Sequence, residues 1–129
     1  MALPADDNID FLVCDGIRQT PDGKLDIAGY YPTFEVKIDP AAKLPVSLNL
    51  TFVFILKEGE GTFKATHRII DPLGKELHRF DIPDVVKQAG LSHAVFLPVG
   101  QIPIVHSGHY PIILELAGQP YRRSVRIYQ

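Results

Sequence analysis

The closest-spaced imidazoles in the chain lie in His106-Ser107-Gly108-His109. Neutral imidazoles hold zinc or nickel, and two on one loop begin such a site. A third ligand, from Asp71, Asp81 or His93, would have to be delivered by the fold, because the spacing supplies none. The plainer reading is a tight turn in which Gly108 bends the chain and Tyr110 plugs an interior. His106 and His109 therefore stand as the secondary ligand or metal candidates, with no metal and no cofactor expected. Ser107 has a histidine on each side, but sequence adjacency makes no catalytic dyad, and there is no Gly-x-Ser-x-Gly elbow.

The other reactive types resolve in the same direction. Cys14-Asp15 places a thiol beside an acid, yet a nucleophilic cysteine needs a base and an electropositive setting; Cys14 reads as a small buried thiol. His67 and His78 fall on adjacent strands and could form an imidazole pair or a pH-sensitive face. Asp6, Asp7, Asp10, Asp39, Glu58 and Glu60 could meet at one end and hold calcium, but they lack the Asp-x-Asp spacing of a single loop. No catalytic residue is assigned, and the chain reads as a non-enzyme. The most distinctive surface candidate is the C-terminal run Tyr121-Arg122-Arg123-Ser124-Val125-Arg126-Ile127-Tyr128. Alternation puts Arg122, Arg126 and Tyr128 on one face, and arginine and tyrosine are enriched at protein interfaces. Its plainer role is a charged edge strand that discourages edge-to-edge pairing.

The elements that must position these residues are strands. Ten glycines and eleven prolines separate short runs rich in β-branched and aromatic residues. Thr20-Pro-Asp-Gly-Lys24 predicts a three-residue hairpin loop that pairs Ile17 with Ile27, Arg18 with Asp26 and Cys14 with Tyr30. Phe34 to Ile38 is a further short strand. Leu48, Leu50, Phe52, Phe54 and Leu56 alternate without a break, and Val53 and Ile55 on the other face suggest a central strand covered on both sides. A three-residue loop at Asp71-Pro-Leu-Gly74 pairs His67 with Arg79 and Arg68 with His78, which separates the two histidines onto opposite faces. Asp84 to Gly90, after Pro83, is the one predicted turn of helix. Pro98 and Pro103 fit an edge strand with a bulge. A turn at Gly118-Gln119 predicts Ile112 opposite Val125 and Leu116 opposite Tyr121. These runs predict an all-β fold: a single antiparallel β-sandwich of about eight or nine strands, one domain over 1–129, with at most one short helical turn.

Composition narrows the function. The 129 residues carry 13 basic and 15 acidic side chains, a formal net charge of −2. That balance argues against nucleic acid, which needs a basic footprint. No segment approaches the ~18–20 consecutive apolar residues of a membrane span. A single cysteine forms no intrachain disulfide, and the acidic N-terminus is unlike a signal peptide. A reducing cytoplasm is the simplest home.

Leu12-Val-Cys14-Asp15, then Gly23-Lys24-Leu25-x-Ile27-x-Gly29, then Ser107-Gly108-x-Tyr110 resemble a family of uncharacterised bacterial β-sandwich proteins known only as a domain of unknown function. The resemblance spans nearly the whole chain. It implies a sandwich and a bacterial or phage origin, and it supplies no catalytic residue or ligand. The expected function is a non-enzymatic cytoplasmic module that binds a protein partner or self-associates, without membrane or nucleic acid. The expectation from a different class is a small-molecule or metal-binding protein, or an enzyme, using the His106/His109 loop.

Overall fold

Period-two alternation dominates the chain, and the resulting strands close into two layers. The computed structural model describes residues 2–129. Its nine strands are β1 (Ile9–Gln19), β2 (Leu25–Tyr30), β3 (Glu35–Lys37), β4 (Val46–Leu56), β5 (Gly61–Ile70), β6 (Glu76–Lys87), β7 (His93–Ile104), β8 (Gly108–Leu116) and β9 (Gln119–Tyr128). One sheet has the order β2-β1-β4-β7 and the other β3-β9-β8-β5-β6. All pairings are antiparallel except the short one between β3 and β9, which is parallel. The alternating side chains of β4 meet those of β8, Tyr110, Ile112, Leu114 and Leu116, in one hydrophobic core.

The first hairpin has the expected register, with Cys14, Ile17 and Arg18 opposite Tyr30, Ile27 and Asp26. Gly29 explains its own place in this hairpin. Its φ is +64°, and a Cβ there would stand 2.1 Å from the Asp15 carboxylate. That close approach leaves Asp15 free to accept the Tyr31 hydroxyl at 2.7 Å. Burial and the Asp15 carboxylate push the Tyr31 phenol up to about 12. β7 is an edge strand, as its prolines require, and its register against β4 shifts between Leu48 and Leu50.

Three expectations are corrected. The predicted helical turn at 84–90 is absent, because β6 runs through to Lys87. Val85 and Lys87 both turn inward there, and Pro83 is tolerated because β6 is an edge strand. The one helical turn among the described residues is 3₁₀, at Asp6–Asn8. The last hairpin slips by two residues, so Leu116 faces Gln119 and Ile112 faces Arg123. Its turn is Ala117-Gly118, with φ of 49° and 84°, the pair of positive angles a type I′ turn requires. A slip of two keeps every side chain on its face.

The third correction brings two functional candidates together. The β5–β6 loop closes as predicted, with Asp71 N–H donating to the Lys75 carbonyl at 2.8 Å and Ile70 opposite Glu76. The register then shifts, so that His78 faces Ile69, Arg79 faces Arg68 and Phe80 faces His67. Leu77 is the extra residue of a β-bulge. Without it Arg79 would point into the sandwich beside His67. With it Arg79 stays at the surface, 3.5 Å from Glu76, and His78 and Phe80 turn inward.

Candidate functional site

The two sheets leave a flank on each side of the core, and the candidate residues sort onto these flanks and the outer faces. On one flank the edges of β6 and β7 enclose a cavity of about 160 Å³ lined by His67, His78, Phe80, Phe96, Leu97 and Pro98. His67 is wholly buried, and among the described residues neither ring nitrogen has a hydrogen-bond partner. An unpartnered buried polar group costs about 1–3 kcal/mol. Its ring lies 5.3 Å from that of His78, edge-on, and 5.8 Å from that of Phe52. Burial, and then the neighbouring His78, hold the His67 imidazolium down to about 3. Burial also lowers the His78 pKa, with Glu76 opposing. His67 is therefore a neutral imidazole, offering one N–H and one bare nitrogen. Phe80, opposite His67, is 56% exposed, whereas Phe96, opposite Val53, lies on the outer face of the four-stranded sheet and is 40% exposed.

On the opposite flank the gap is bridged. β2 pairs with β1 only from Cys14 onward, and β3 pairs with β9 only from Arg126 onward. Arg123 crosses the space between these two edges. Its guanidinium donates to the Asp6 carboxylate at 3.0 Å, to the Asp6 and Ile9 carbonyls at 2.8 and 3.0 Å, and to the Arg122 carbonyl at 2.7 Å. Beside it runs a groove of about 530 Å³, lined by Ile9 to Leu12, Phe34, Ile55, Arg123 and Ser124. Phe34 stacks on Phe11 at 5.7 Å and holds φ at +57°. That angle is strained for a bulky side chain. The Phe34 carbonyl accepts the Arg126 N–H at 2.9 Å.

The predicted C-terminal face lies on the outside of the five-stranded sheet. Arg122 is exposed there. Arg126 pairs with Glu35 at 2.8 Å and lies over the Tyr128 ring, 4.2 Å from its centre. His106 is exposed in the turn before β8, and its carbonyl accepts the hydroxyl of the buried Tyr110. His109 stands opposite Arg126, with Nδ1 3.5 Å from the Ser124 hydroxyl. Among the described residues no group of three or more His, Cys, Asp or Glu side chains is disposed to hold a metal ion. The loop acids have separate partners. Asp6 binds Arg123, Asp10 binds Lys57 and Glu58 accepts the Ala5 N–H. Cys14 is buried, and burial followed by Asp15 raises its thiol pKa. It is a protonated core residue.

Sequence reasoning missed Phe34 and Arg123 as builders of the groove, and it placed His67 and His78 on opposite faces. Arg123 was legible only as the charged exception on an apolar face. The bulge that joins the histidines has no local signal.

These features define an all-β sandwich of two layers, with one flank open and apolar and the other bridged by an arginine. The chain belongs to a family of unknown function (DUF6941), whose model matches residues 9–126, from the first residue of β1 into β9. It is similar to an immunoglobulin-like protein of Pseudomonas aeruginosa, at TM-score 0.43 and 15% identity, over 93% of this chain and 94% of that one. No curated protein matches the chain. Among the described residues no helix is long and apolar enough to cross a membrane.

Proposed function

We propose that the protein is a non-enzymatic cytoplasmic binding module that takes up an extended segment of a partner protein along the unpaired edge of β9. The observation carrying this reading is the vacant strand position between Tyr121 and Val125, where β3 stops and the groove under Phe34 begins. The Arg126 N–H already donates to the β3 side. Alternation turns the backbone groups of Ser124 and the Arg122 N–H to the same edge, where the Arg122 carbonyl already accepts the Arg123 guanidinium at 2.7 Å. An added strand alternates between two environments. One set of its side chains would enter the groove beside Phe11 and Phe34. The other would lie on the outer face beside Arg122, Arg126 and Tyr128. The segment that fits is therefore an alternating apolar and acidic one, and pairing of this kind is a common mode of peptide recognition.

A synthetic octapeptide alternating valine and aspartate is the probe, with amide hydrogen exchange as the readout. Slowed exchange at Ser124, and binding weakened at least about tenfold by Arg122→Glu with Arg126→Glu, are expected; tenfold corresponds to about 1.4 kcal/mol. Unchanged exchange at Ser124 would refute the site. A concentration-dependent dimer dissolved by the same two substitutions would replace the partner segment with a second copy of the chain. Stoichiometric zinc or nickel that disappears in His106→Ala would favour the His106/His109 reading instead.

A further inference from the structure

We propose that the outer face of the four-stranded sheet is a self-association surface, on which a second copy of this chain lays its own four-stranded face to form a two-fold dimer.

The alternation of β4 calls for cover on both sides, and the chain supplies one. Leu50, Phe52, Phe54 and Leu56 enter the core between the sheets, whereas Val53 lies outside that cluster. Strand pairing sets Leu12, Val53 and Phe96 side by side across β1, β4 and β7 on the outer face. The next row carries Tyr30 opposite Cys14, and Ile55 flanks the other side. Val53 and Cys14 are wholly buried, while Tyr30 and Phe96 remain 47% and 40% exposed. A contiguous apolar face of this kind marks an interaction site.

The charges at its two ends select the occupant. Asp10 and Lys57 pair at 3.1 Å at one end, and Arg18 and Asp26 at 2.6 Å at the other. Each end carries one acid and one base and is neutral. A two-fold axis lying across the strands sets the Asp10–Lys57 end of one copy over the Arg18–Asp26 end of the other. Each acid then meets a base, and no field of one sign opposes the approach. The outer face of the five-stranded sheet lacks this property. Arg79, Arg68 and Arg122 stand in one row across it with Ile113, and a copy laid on that row would meet like charge.

The dimensions fit a dimer that dissociates on dilution. Four strands about 4.8 Å apart, the longest of them roughly 35 Å, give a plan area on the order of 600 Å². Two copies together bury about 1,200 Å², the lower limit of a standard specific interface. The surface is on the other sheet from the β9 edge, and neither Tyr30 nor Phe96 lines the groove there.

Sedimentation velocity on the full chain, from about 10 μM to about 1 mM, spans the range in which such a dimer forms. The sedimentation coefficient should rise towards that of a dimer, and the ring resonances of Tyr30 and Phe96 should shift with it. Phe96→Lys, at an exposed position, should weaken the dimer at least about tenfold. Tyr30→Lys tests the same face from β2 and should act in the same direction. Arg122→Glu with Arg126→Glu should leave the dimer intact, so that loss of peptide binding at the β9 edge and loss of the dimer are separable. A monomer at every concentration would overturn the proposal, as would a dimer that survives both Phe96→Lys and Tyr30→Lys. A dimer dissolved by the two arginine substitutions would overturn it too, placing self-association at the β9 edge.

Discussion

The two flanks of the sandwich each contain a polar side chain between the sheets, one supplied with hydrogen-bond partners and the other without them. The two terminal nitrogens of the Arg123 guanidinium donate to oxygens of Asp6, Ile9 and Arg122. His67 has no such oxygen, and burial strips its charge instead. Low-dielectric surroundings allow a polar group two outcomes, saturation with partners or neutralisation. The first ties two strand edges together. The second leaves hydrogen-bonding capacity unused inside the sandwich. Lys87 follows the first pattern on the β6 side, donating to the Gly59 and Gln88 carbonyls at 3.0 and 2.7 Å.

Acid should break this comparison most strongly. The His67 pKa falls from its usual 6.5 in the unfolded chain to about 3 in the folded one. The unfolded state therefore binds the extra proton between those values. The stabilisation is full above pH 6.5 and is lost as pH falls towards 3, at about 1.4 kcal/mol per pH unit from this group. The groups bearing on His67 are His78 and, through it, Glu76. Urea unfolding at pH 7 and pH 4.5 should show a steep loss that His67→Leu flattens. An unchanged slope in that variant would assign the acid sensitivity elsewhere.

Next in size is the brace. Arg123→Leu leaves the Ile9 and Asp6 carbonyls without their donor, and should cost about 2–3 kcal/mol at pH 7, read as a lower urea midpoint with m unchanged. His67→Leu at pH 7.5 replaces an unpartnered buried group with an apolar one of similar volume. It should be neutral or stabilising by up to about 1 kcal/mol, the opposite sign to Arg123→Leu. Equal losses at the two sites would erase the distinction between the flanks. The smallest effect sets the scale away from both. Ala117→Asn suits the positive φ of the final turn and should raise stability by about 0.5 kcal/mol, seen as a rise of a few degrees in Tm.

Much of this was legible in local sequence. Thr20-Pro-Asp-Gly-Lys24 carries its own loop type, and the pairing of Arg18 with Asp26 follows from it. The edge position of β7 follows from Pro98 and Pro103. The face of Arg122, Arg126 and Tyr128 survives even the two-residue slip of the last hairpin, because strand faces repeat every two residues. The error at 84–90 came from reading Pro83 and Gly90 as helix punctuation. Seven residues are too few to hold a helix against an available sheet edge.

Alternation and turn chemistry are properties of neighbouring residues, so the sequence by itself determined that the chain is extended, two-layered and greasy on its inward faces. Whether one extra residue is inserted at Leu77 is a different kind of question. It depends on the cost of placing Arg79, rather than His78 and Phe80, beneath the opposite sheet, and that cost exists only once β7 and β4 cover the position. Only the tertiary structure therefore decided that His67 and His78 share a cavity. It likewise decided that Arg123 spans two strand edges separated in sequence by the length of the molecule.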